Sequence, residues 1–344
     1  VSDRACGKRT LATRLGDRGS RWFYLALALT AAAAVGLAAL STPWALLGLL
    51  GVVLLAGPAR TVLAGAQGPA LIGVLRNTGL AGQVLAAGIA VLMGVRILWI
   101  PVPGRLVALD QMSSIAITVF LIFLCVNAIN FVDGLDGLAA GVVAIGSLAF
   151  AAYTYVLSVE QDLVRATTAS LVTVAVAGAC LGYLPHNFFP ARMFMGDSGA
   201  MLLGLLLATS TVSLTGQVDP AALADQKGML TAYLPILLPV AILALPVLDL
   251  VLAYIRRTMA GTWWFQADKL HLHHRLLQRG HSQTRAVLLM YLWTALLSFG
   301  AIAVGLAEQG WVVAVVLTLI VVAVLLTLVP GSRIPIIGPR QPKP

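Results

Sequence analysis

The chain is dominated by apolar runs that are each long enough to cross a lipid bilayer, although Gly57, Pro58 and Arg60 interrupt the second run. Ten runs are present, at about residues 22–42, 44–65, 81–98, 111–130, 137–157, 167–185, 199–216, 230–255, 285–307 and 311–330. A hydrocarbon layer of about 30 Å requires about 20 apolar residues in helical form. Only 10% of the residues are charged, against roughly 25% in soluble domains. The sequence therefore predicts an all-α polytopic transmembrane bundle of about ten helices, not a soluble domain or an outer-membrane barrel.

The positions of the cationic residues predict the orientation of this bundle. If the basic N-terminal tail lies in the cytoplasm, all but four of the 22 Lys and Arg residues fall on the cytoplasmic side. The four outside are Arg96, Arg105, Arg165 and Lys227. Because this distribution follows the positive-inside rule, we expect both termini to be cytoplasmic. The net charge of +9 is thus interpreted as a topology signal, and no nucleic-acid partner is predicted.

Two further sequence features narrow the class of protein. The first apolar run follows a basic tail, but its length of about 21 residues and its lack of a convincing cleavage site favour a retained helix over a signal peptide. The cysteines Cys6, Cys125 and Cys180 form no CxxC pair. Neither a disulfide framework nor a zinc ribbon is predicted.

Polar residues are concentrated where the fourth apolar run ends. Asn127, Asn130, Asp133 and Asp136 follow one another at intervals of three, with glycines beside both acids. Polar groups at this depth are costly unless they bind a ligand or one another. Capping of the next helix would explain Asp136 alone. The spacing therefore predicts a binding or catalytic site at this membrane surface.

The loop after the sixth run repeats the pattern, with Asn187, Arg192 and Asp197, the last between Gly196 and Gly199. Asp197 as a simple helix N-cap is the alternative interpretation. A helix N-terminus favours phosphate, and a carboxylate there requires a cation between itself and the phosphate. Magnesium fits this role because it takes one or two protein oxygens and leaves its other positions to water and phosphate.

The longest predicted cytoplasmic loop is rich in basic side chains. These are Lys269, His271, His273, His274 and Arg275. A zinc site is the rival explanation, but neither a cysteine nor an HExxH pattern accompanies them. The set is more typical of a diphosphate clamp. For Asp249, an ion pair with Arg256 or a bundle hydrogen bond and a direct role in the site remain equal alternatives.

Residues 127–141, 194–199 and 271–275 together resemble the polyprenyl-phosphate N-acetylhexosamine-1-phosphate transferases, the glycosyltransferase 4 family. The resemblance is to the WecA-like branch, which uses UDP-N-acetylglucosamine, rather than to the branch that uses UDP-N-acetylmuramoyl-pentapeptide. It extends from about Gly82 to about Pro330.

The resemblance implies roles for individual residues. The implied catalytic set is Asp133, Asp136, Asp197, His271, His273 and His274, and the implied substrate-binding set is Asn127, Asn130, Asn187, Arg192, Lys269 and Arg275. Asp197 would bind Mg²⁺, with Mn²⁺ as a substitute, and Asn130 would assist at the metal or the diphosphate. Asp133 and Asp136 would line the nucleotide-sugar pocket.

The resemblance also implies a reaction and its partners. A polyprenyl phosphate would attack UDP-N-acetylglucosamine on the cytoplasmic face of the inner (plasma) membrane. UMP would be released, and the lipid-linked product would start the synthesis of a cell-wall or surface glycan. A homodimer is compatible with the resemblance, which leaves the oligomeric state open.

The first part of the chain departs from that family. Members usually have an extra N-terminal helix, a Pro-Arg-x-Gly-Gly loop and an adjacent Asp-Asp pair, whereas residues 57–77 contain no acidic residue here. We therefore divide the chain into an atypical region (1–81), a catalytic region (82–335) and a cytoplasmic tail (336–344). A truncated or misread gene start and a divergent homologue that binds the nucleotide sugar but turns over poorly are both compatible with this departure. A transporter or flippase is a further alternative, but no internal repeat supports it.

Overall fold

The computed structural model describes residues 69–102, 105–160, 166–215, 229–259, 276–307 and 309–329, with four isolated positions nearer the N-terminus. The elements are α1 (Pro69–Leu92), β1 (Trp99–Val102), β2 (Arg105–Ala108), α2 (Gln111–Val132), α3 (Leu138–Glu160), α4 (Ala166–Asn187), α5 (Gly196–Thr215), α6 (Met229–Met259), α7 (Gln283–Leu306) and α8 (Gly310–Leu328). The chain divides into two compact units, Val1–Gly94 and Val95–Pro344. Within the described residues, α1 belongs to the first unit and all the other elements belong to the second.

The helices α2 to α8 are each long and apolar enough to span a membrane. They coincide with the fourth to tenth apolar runs to within a few residues, so an all-α multi-pass membrane protein is confirmed. The first two predicted runs, apart from residues 22, 26 and 33, lie outside the described residues.

The bounds predicted for the third run, 81–98, are wrong. The helix there, α1, begins at Pro69 and ends at Leu92. It begins earlier because Arg76 and Asn77 interrupt the apolar run without breaking the helix. It ends earlier because Gly94 takes a left-handed conformation, with φ +92°, which closes the last turn.

A short β-hairpin that the sequence analysis did not predict precedes α2. Its strands β1 and β2 pair antiparallel, with Trp99 opposite Ala108. Ile97, two residues before the hairpin, is tied to α2, since Ile97 N donates to Thr118 Oγ1 (2.9 Å) and Ser114 Oγ donates to Ile97 O (2.6 Å). Asp110 then caps α2 by accepting hydrogen bonds from two backbone amides in its first turn.

Within the second unit, the helices pack mainly as the pairs α3 with α4, α2 with α5 and α6 with α7. Helix α3 is the most enclosed of the spanning helices, and Phe150, Tyr153 and Leu157 on it are fully buried. Small residues permit the closest approaches: a Cβ at Gly204 of α5 would lie 2.8 Å from Val126 Cα of α2. The α2–α5 pair is therefore held at backbone contact distance.

At one end of the bundle an apolar cluster joins several elements that are far apart in the chain. Its buried members are Val132, Leu138, Ala139, Val142, Leu276, Ala286, Val287, Leu289 and Met290. They come from the end of α2, the start of α3, the start of α7 and the segment just before it. This cluster supports the polar residues described next.

Candidate functional site

The acidic turn, residues 133–137, connects α2 to α3. Helix α2 stops because Asp133 leaves the helical conformation (ψ 42°) while its N–H still donates to Ile129 O. Gly134 N donates to Val132 O (2.7 Å), and Leu138 N donates to Leu135 O (3.0 Å). Gly137 closes the turn with φ +80°, a conformation that favours glycine. The turn thus directs two carboxylates, Asp133 and Asp136, to the end of the bundle.

The loop between α4 and α5, residues 188–195, carries the second group of predicted site residues. The carbonyl of His186 accepts from the backbone amides of Arg192 (2.8 Å) and Met193 (3.0 Å), which folds the loop back onto the end of α4. Gly196, with φ +68°, begins α5. Asp197 is exposed in the first turn of α5, where the helix dipole favours negative charge.

Two side chains tie the acidic turn to this loop. The carboxylate of Asp136 accepts from Ala191 N (3.1 Å). Asn187 is buried, and its Oδ1 accepts from Gly137 N (3.0 Å) while its Nδ2 donates to Met193 O (2.8 Å). Asn187, which the resemblance places in the substrate-binding set, therefore uses both ends of its amide within the protein.

The geometry of α2 and α5 places Asp133 and Asp197 at the same level. Asp133 lies seven residues after Val126 on α2, and Asp197 lies seven residues before Gly204 on the antiparallel helix α5. Val126 and Gly204 are in close contact, so each acid lies about 10 Å from that contact in the same direction.

The electrostatics of the acidic turn agree with this placement. Removal from water, followed by repulsion from Asp197 and Asp136, raises the pKa of Asp133 to about 6. Three carboxylates therefore act on one another at this end of the bundle, and a cation bound among them would relieve the repulsion. Among the described residues, however, no three His, Cys, Asp or Glu side chains are close enough to hold one metal ion together.

The donor set nevertheless fits a metal such as magnesium. Mg²⁺ requires only one or two protein oxygens. One candidate oxygen is Asn130 Oδ1, which is buried and has no hydrogen-bond partner. Asn130 precedes Asp133 by three residues on α2, so the two side chains share one helix face. A buried amide oxygen without a partner is costly, and a bound cation would satisfy it.

The remaining predicted site residues fall into four groups. Asn127 is half-buried, and its Nδ2 donates to Phe123 O (2.7 Å) in its own helix. Arg192 is exposed on the α4–α5 loop. Asp249 is fully buried on α6, and Arg256 lies on the same helix. Lys269, His271, His273, His274 and Arg275 lie outside the described residues.

The described chain begins again directly after that basic segment. Leu276, the next residue after Arg275, is buried in the apolar cluster with Val132 and Leu138, which flank the acidic turn. The described chain therefore resumes beside the acidic turn.

Two tyrosines near the acidic turn were not predicted. The hydroxyl of Tyr291, on α7, donates to Gly137 O, and the hydroxyl of Tyr183, on α4, donates to Met193 O (3.1 Å). Both residues lie within apolar helical runs, where a tyrosine is interpreted as a residue that packs in the core. The sequence signal for Tyr291 was the pair Gly137 and Gly141. Their spacing leaves one face of the chain without side chains at the start of α3.

Comparison with known proteins gives a consistent set of relatives. The model of glycosyl transferase family 4 matches residues 71–215. A decaprenyl-phosphate N-acetylglucosaminephosphotransferase of Mycolicibacterium smegmatis is 40% identical over 269 residues, which cover 77% of this chain and 66% of that protein. The protein of the same name from Mycobacterium tuberculosis is 44% identical over 261 residues, covering 74% of this chain and 64% of the relative.

A more distant relative comes from Bacillus subtilis. This probable undecaprenyl-phosphate N-acetylglucosaminyl 1-phosphate transferase is 35% identical over 164 residues, covering 48% of this chain and 40% of that protein. The chain thus spans 64 to 66% of the length of the mycobacterial relatives.

Proposed function

We propose that this chain, which belongs to glycosyl transferase family 4, transfers N-acetylglucosamine 1-phosphate from UDP-N-acetylglucosamine to a polyprenyl phosphate and releases UMP. The relatives from mycobacteria and Bacillus subtilis carry names for this kind of transfer. The observation that carries the proposal is the convergence of Asp133, Asp136 and Asp197 at one end of a bundle of membrane-spanning helices.

The proposed reaction exchanges one phosphorus–oxygen bond for another. A phosphate oxygen of the acceptor attacks the sugar-linked phosphorus of the donor. The bond from that phosphorus to the bridging oxygen breaks, and the bridging oxygen leaves with UMP. Because both reactants are anions, positioning and charge screening should supply most of the rate enhancement.

Asp197 is proposed to hold the metal, and Asn130 and Asp133 would be the other available oxygen donors. When bound, Mg²⁺ would withdraw negative charge from the transferring phosphoryl group and from the leaving UMP. Asp136 and Asn187 hold the acidic turn against the α4–α5 loop. These contacts support the placement of Asp197 in one site with the carboxylates of the acidic turn.

The basic segment is proposed to complete the diphosphate site. His271, His273, His274, Arg275 and Lys269 would bind the donor diphosphate or sugar. Support comes from Leu276, which is buried beside the acidic turn and follows the segment directly. All of these motifs lie within residues 82–335, which we assign as the catalytic region.

The site is proposed to face the cytoplasm of the inner membrane. Nucleotide sugars are soluble, whereas the lipid tail of the acceptor has to remain in the bilayer, so the two substrates meet at a membrane surface. The bias of Lys and Arg supports this orientation, in which ten helices would leave both termini cytoplasmic.

A transfer assay on membranes that contain the full chain tests this proposal. The membranes are incubated with sugar-labelled UDP-N-acetylglucosamine and a polyprenyl phosphate, with and without Mg²⁺. We expect Mg²⁺-dependent release of UMP together with label that extracts into organic solvent. Donor binding without either product would instead indicate a homologue that binds but does not transfer.

A further inference from the structure

The backbone of Gly137 is held from two sides by residues distant in the chain. Its N–H donates to Asn187 Oδ1 (3.0 Å), at the end of α4. Its carbonyl accepts from the Tyr291 hydroxyl, on α7, and also from Gly141 N (3.0 Å) in the first turn of α3. Gly137 is adjacent to Asp136 and four residues after Asp133. Gly137, the last residue of the acidic turn, is thus fixed by contacts with three helices, α3, α4 and α7.

The space around this contact is shaped for the tyrosine. A Cβ at Gly141 would lie 2.0 Å from Tyr291 Cζ and 2.1 Å from its hydroxyl oxygen, so only glycine admits the ring there. A Cβ at Gly137 would lie 3.0 Å from Phe188 Cδ2 and 3.4 Å from the Tyr291 hydroxyl. Two glycines one helical turn apart therefore leave the space that the phenol group of Tyr291 occupies.

We propose that Tyr291 is a positioning residue for the transfer reaction, whose hydroxyl fixes the acidic turn through Gly137 O so that Asp133 and Asp136 are presented to the donor. This inference rests on the proposed function, because it assumes that Asp133 and Asp136 act on the nucleotide-sugar donor. Tyr291 does not touch the substrate in this assignment. It acts through the backbone of the turn.

The hydroxyl, rather than the ring, carries the proposed role. Removing it leaves Gly137 O bonded to Gly141 N, so no carbonyl is left without a partner and the fold should persist. The turn would lose one of its three fixed points. Reaction rates are sensitive to displacements of a catalytic group by about 1 Å, so the loss should appear in catalysis before it appears in stability.

The experiment compares Tyr291→Phe with Tyr153→Phe in the full chain. Tyr153 is fully buried on α3, and its hydroxyl has no hydrogen-bond partner, so it controls for removing a buried phenolic oxygen. For Tyr291→Phe we expect kcat/KM for UDP-N-acetylglucosamine to fall about tenfold and the Mg²⁺ concentration for half-maximal rate to rise, with an unchanged thermal midpoint. Tyr153→Phe should stay within twofold of the parent chain in both constants.

A second readout does not depend on turnover. Amide hydrogen exchange of residues 134–138 should be faster in Tyr291→Phe than in the parent chain or in Tyr153→Phe. If the parent chain transfers nothing, the proposed function fails, and exchange alone decides whether Tyr291 fixes the turn. Unchanged exchange would overturn the inference, as would faster exchange with kinetic constants equal to those of an active parent chain.

A double-mutant cycle tests the path through Gly141. Gly141→Ala should displace the ring of Tyr291 and lower kcat/KM to a similar extent. Because the hydroxyl would already have lost its contact, adding Tyr291→Phe should cause little further loss. If the fall in kcat/KM in the double variant equalled the product of the falls in the two single variants, a shared contact at Gly137 would be contradicted.

Discussion

Asp133 ends α2 with its carboxyl group partly removed from water and under the influence of Asp136 and Asp197. These effects raise its pKa from 3.8 to about 6. The folded chain therefore holds this proton more tightly than the unfolded chain. The resulting stabilisation is fully present below pH 3.8 and is lost as the pH rises through about 6. Ionisation of Asp133, which a metal site needs, has the opposite pH dependence, and the ionised fraction increases as the pH rises through about 6.

The raised pKa of Asp133 predicts how the rate of transfer depends on pH. At limiting Mg²⁺, the acid side of the profile should have its midpoint near pH 6, with the rate rising as Asp133 ionises. Asp136→Asn keeps an oxygen that can accept from Ala191 N but removes one repelling charge, so the midpoint should move to lower pH. Rates measured from pH 5 to 8 check this, and a midpoint that does not move in the variant would contradict the assignment.

Asp197 is predicted to be the acid on which Mg²⁺ activation depends. Asp197→Asn should lower the Mg²⁺-dependent rate by at least about 10²-fold, as expected for loss of a main electrostatic contact in the transition state. The matched control is Asp110→Asn, at the other end of α2. Asn caps helices as well as Asp does, so this variant should insert normally and retain its rate. Equal rates for the two variants would show that Asp197 does not bind the metal.

Some residues of the candidate site could be predicted from the sequence, and others could not. Asp133, Asp136 and Asp197 were predictable because acids at a membrane surface require an explanation. For Asn187, the residue type was conspicuous, but the bonds to Gly137 and Met193 depend on how two loops fold together. Tyr291 lies 154 residues from Gly137 in an apolar helix, and no local pattern distinguishes it from a packing residue.

At the scale of elements, the contact between α2 and α5 sets the spacing of the carboxylates. Gly204 lies against the backbone of Val126, with Cys125 O 3.2 Å from the position of a Cβ. Asp133 and Asp197 project from these two helices about two turns beyond the contact. A change at Gly204 should therefore affect the site without touching it.

Gly204→Ala tests this relation. The added methyl group would meet backbone atoms, which cannot move aside easily, so we expect a loss of about 1–3 kcal/mol in stability and a lower rate. Gly178→Ala on α4 is the control, since a Cβ there meets nothing within 4 Å. Thermal denaturation of both variants in detergent measures the effect. Equal midpoints would mean that α2 and α5 are not held at this distance.

The elements themselves were largely predictable because a spanning helix has a strong apolar signal. Runs four to ten gave α2 to α8 with small errors in their bounds. The signal failed for α1, which includes the polar residues Arg76 and Asn77, and for the hairpin Trp99–Ala108, whose strands are four residues each. Strands this short carry little periodicity, and their pairing depends on a turn.

In the whole molecule, the proposed function places the carboxylates of the acidic turn and the β-hairpin on opposite sides of the membrane. Helix α2 has 22 residues and is therefore about 33 Å long, enough to separate Asp110 at one end from Asp133 at the other. Lys and Arg are more abundant in the loops assigned to the side of Asp133. This predicts that the acidic turn and the α4–α5 loop are cytoplasmic.

Cysteine labelling tests that orientation. Cys125 and Cys180 are buried, so a Cys6→Ser background should react little with a membrane-impermeant maleimide. Met193→Cys, on the exposed α4–α5 loop, should react only in inside-out vesicles. Ala108→Cys, on the exposed end of β2, should react only in right-side-out vesicles or intact cells. The reverse pattern would overturn the proposed topology.

In the proposed reaction the sugar moves together with its phosphate. A donor labelled with ³²P in the sugar-linked phosphate and ¹⁴C in the N-acetylglucosamine tests this when it is incubated with Mg²⁺, polyprenyl phosphate and membranes that contain this chain. We expect both labels to enter the lipid fraction in a one-to-one ratio, with one unlabelled UMP released for each. Lipid that carries ¹⁴C without ³²P, or no labelled lipid at all beside an active family member, would contradict it.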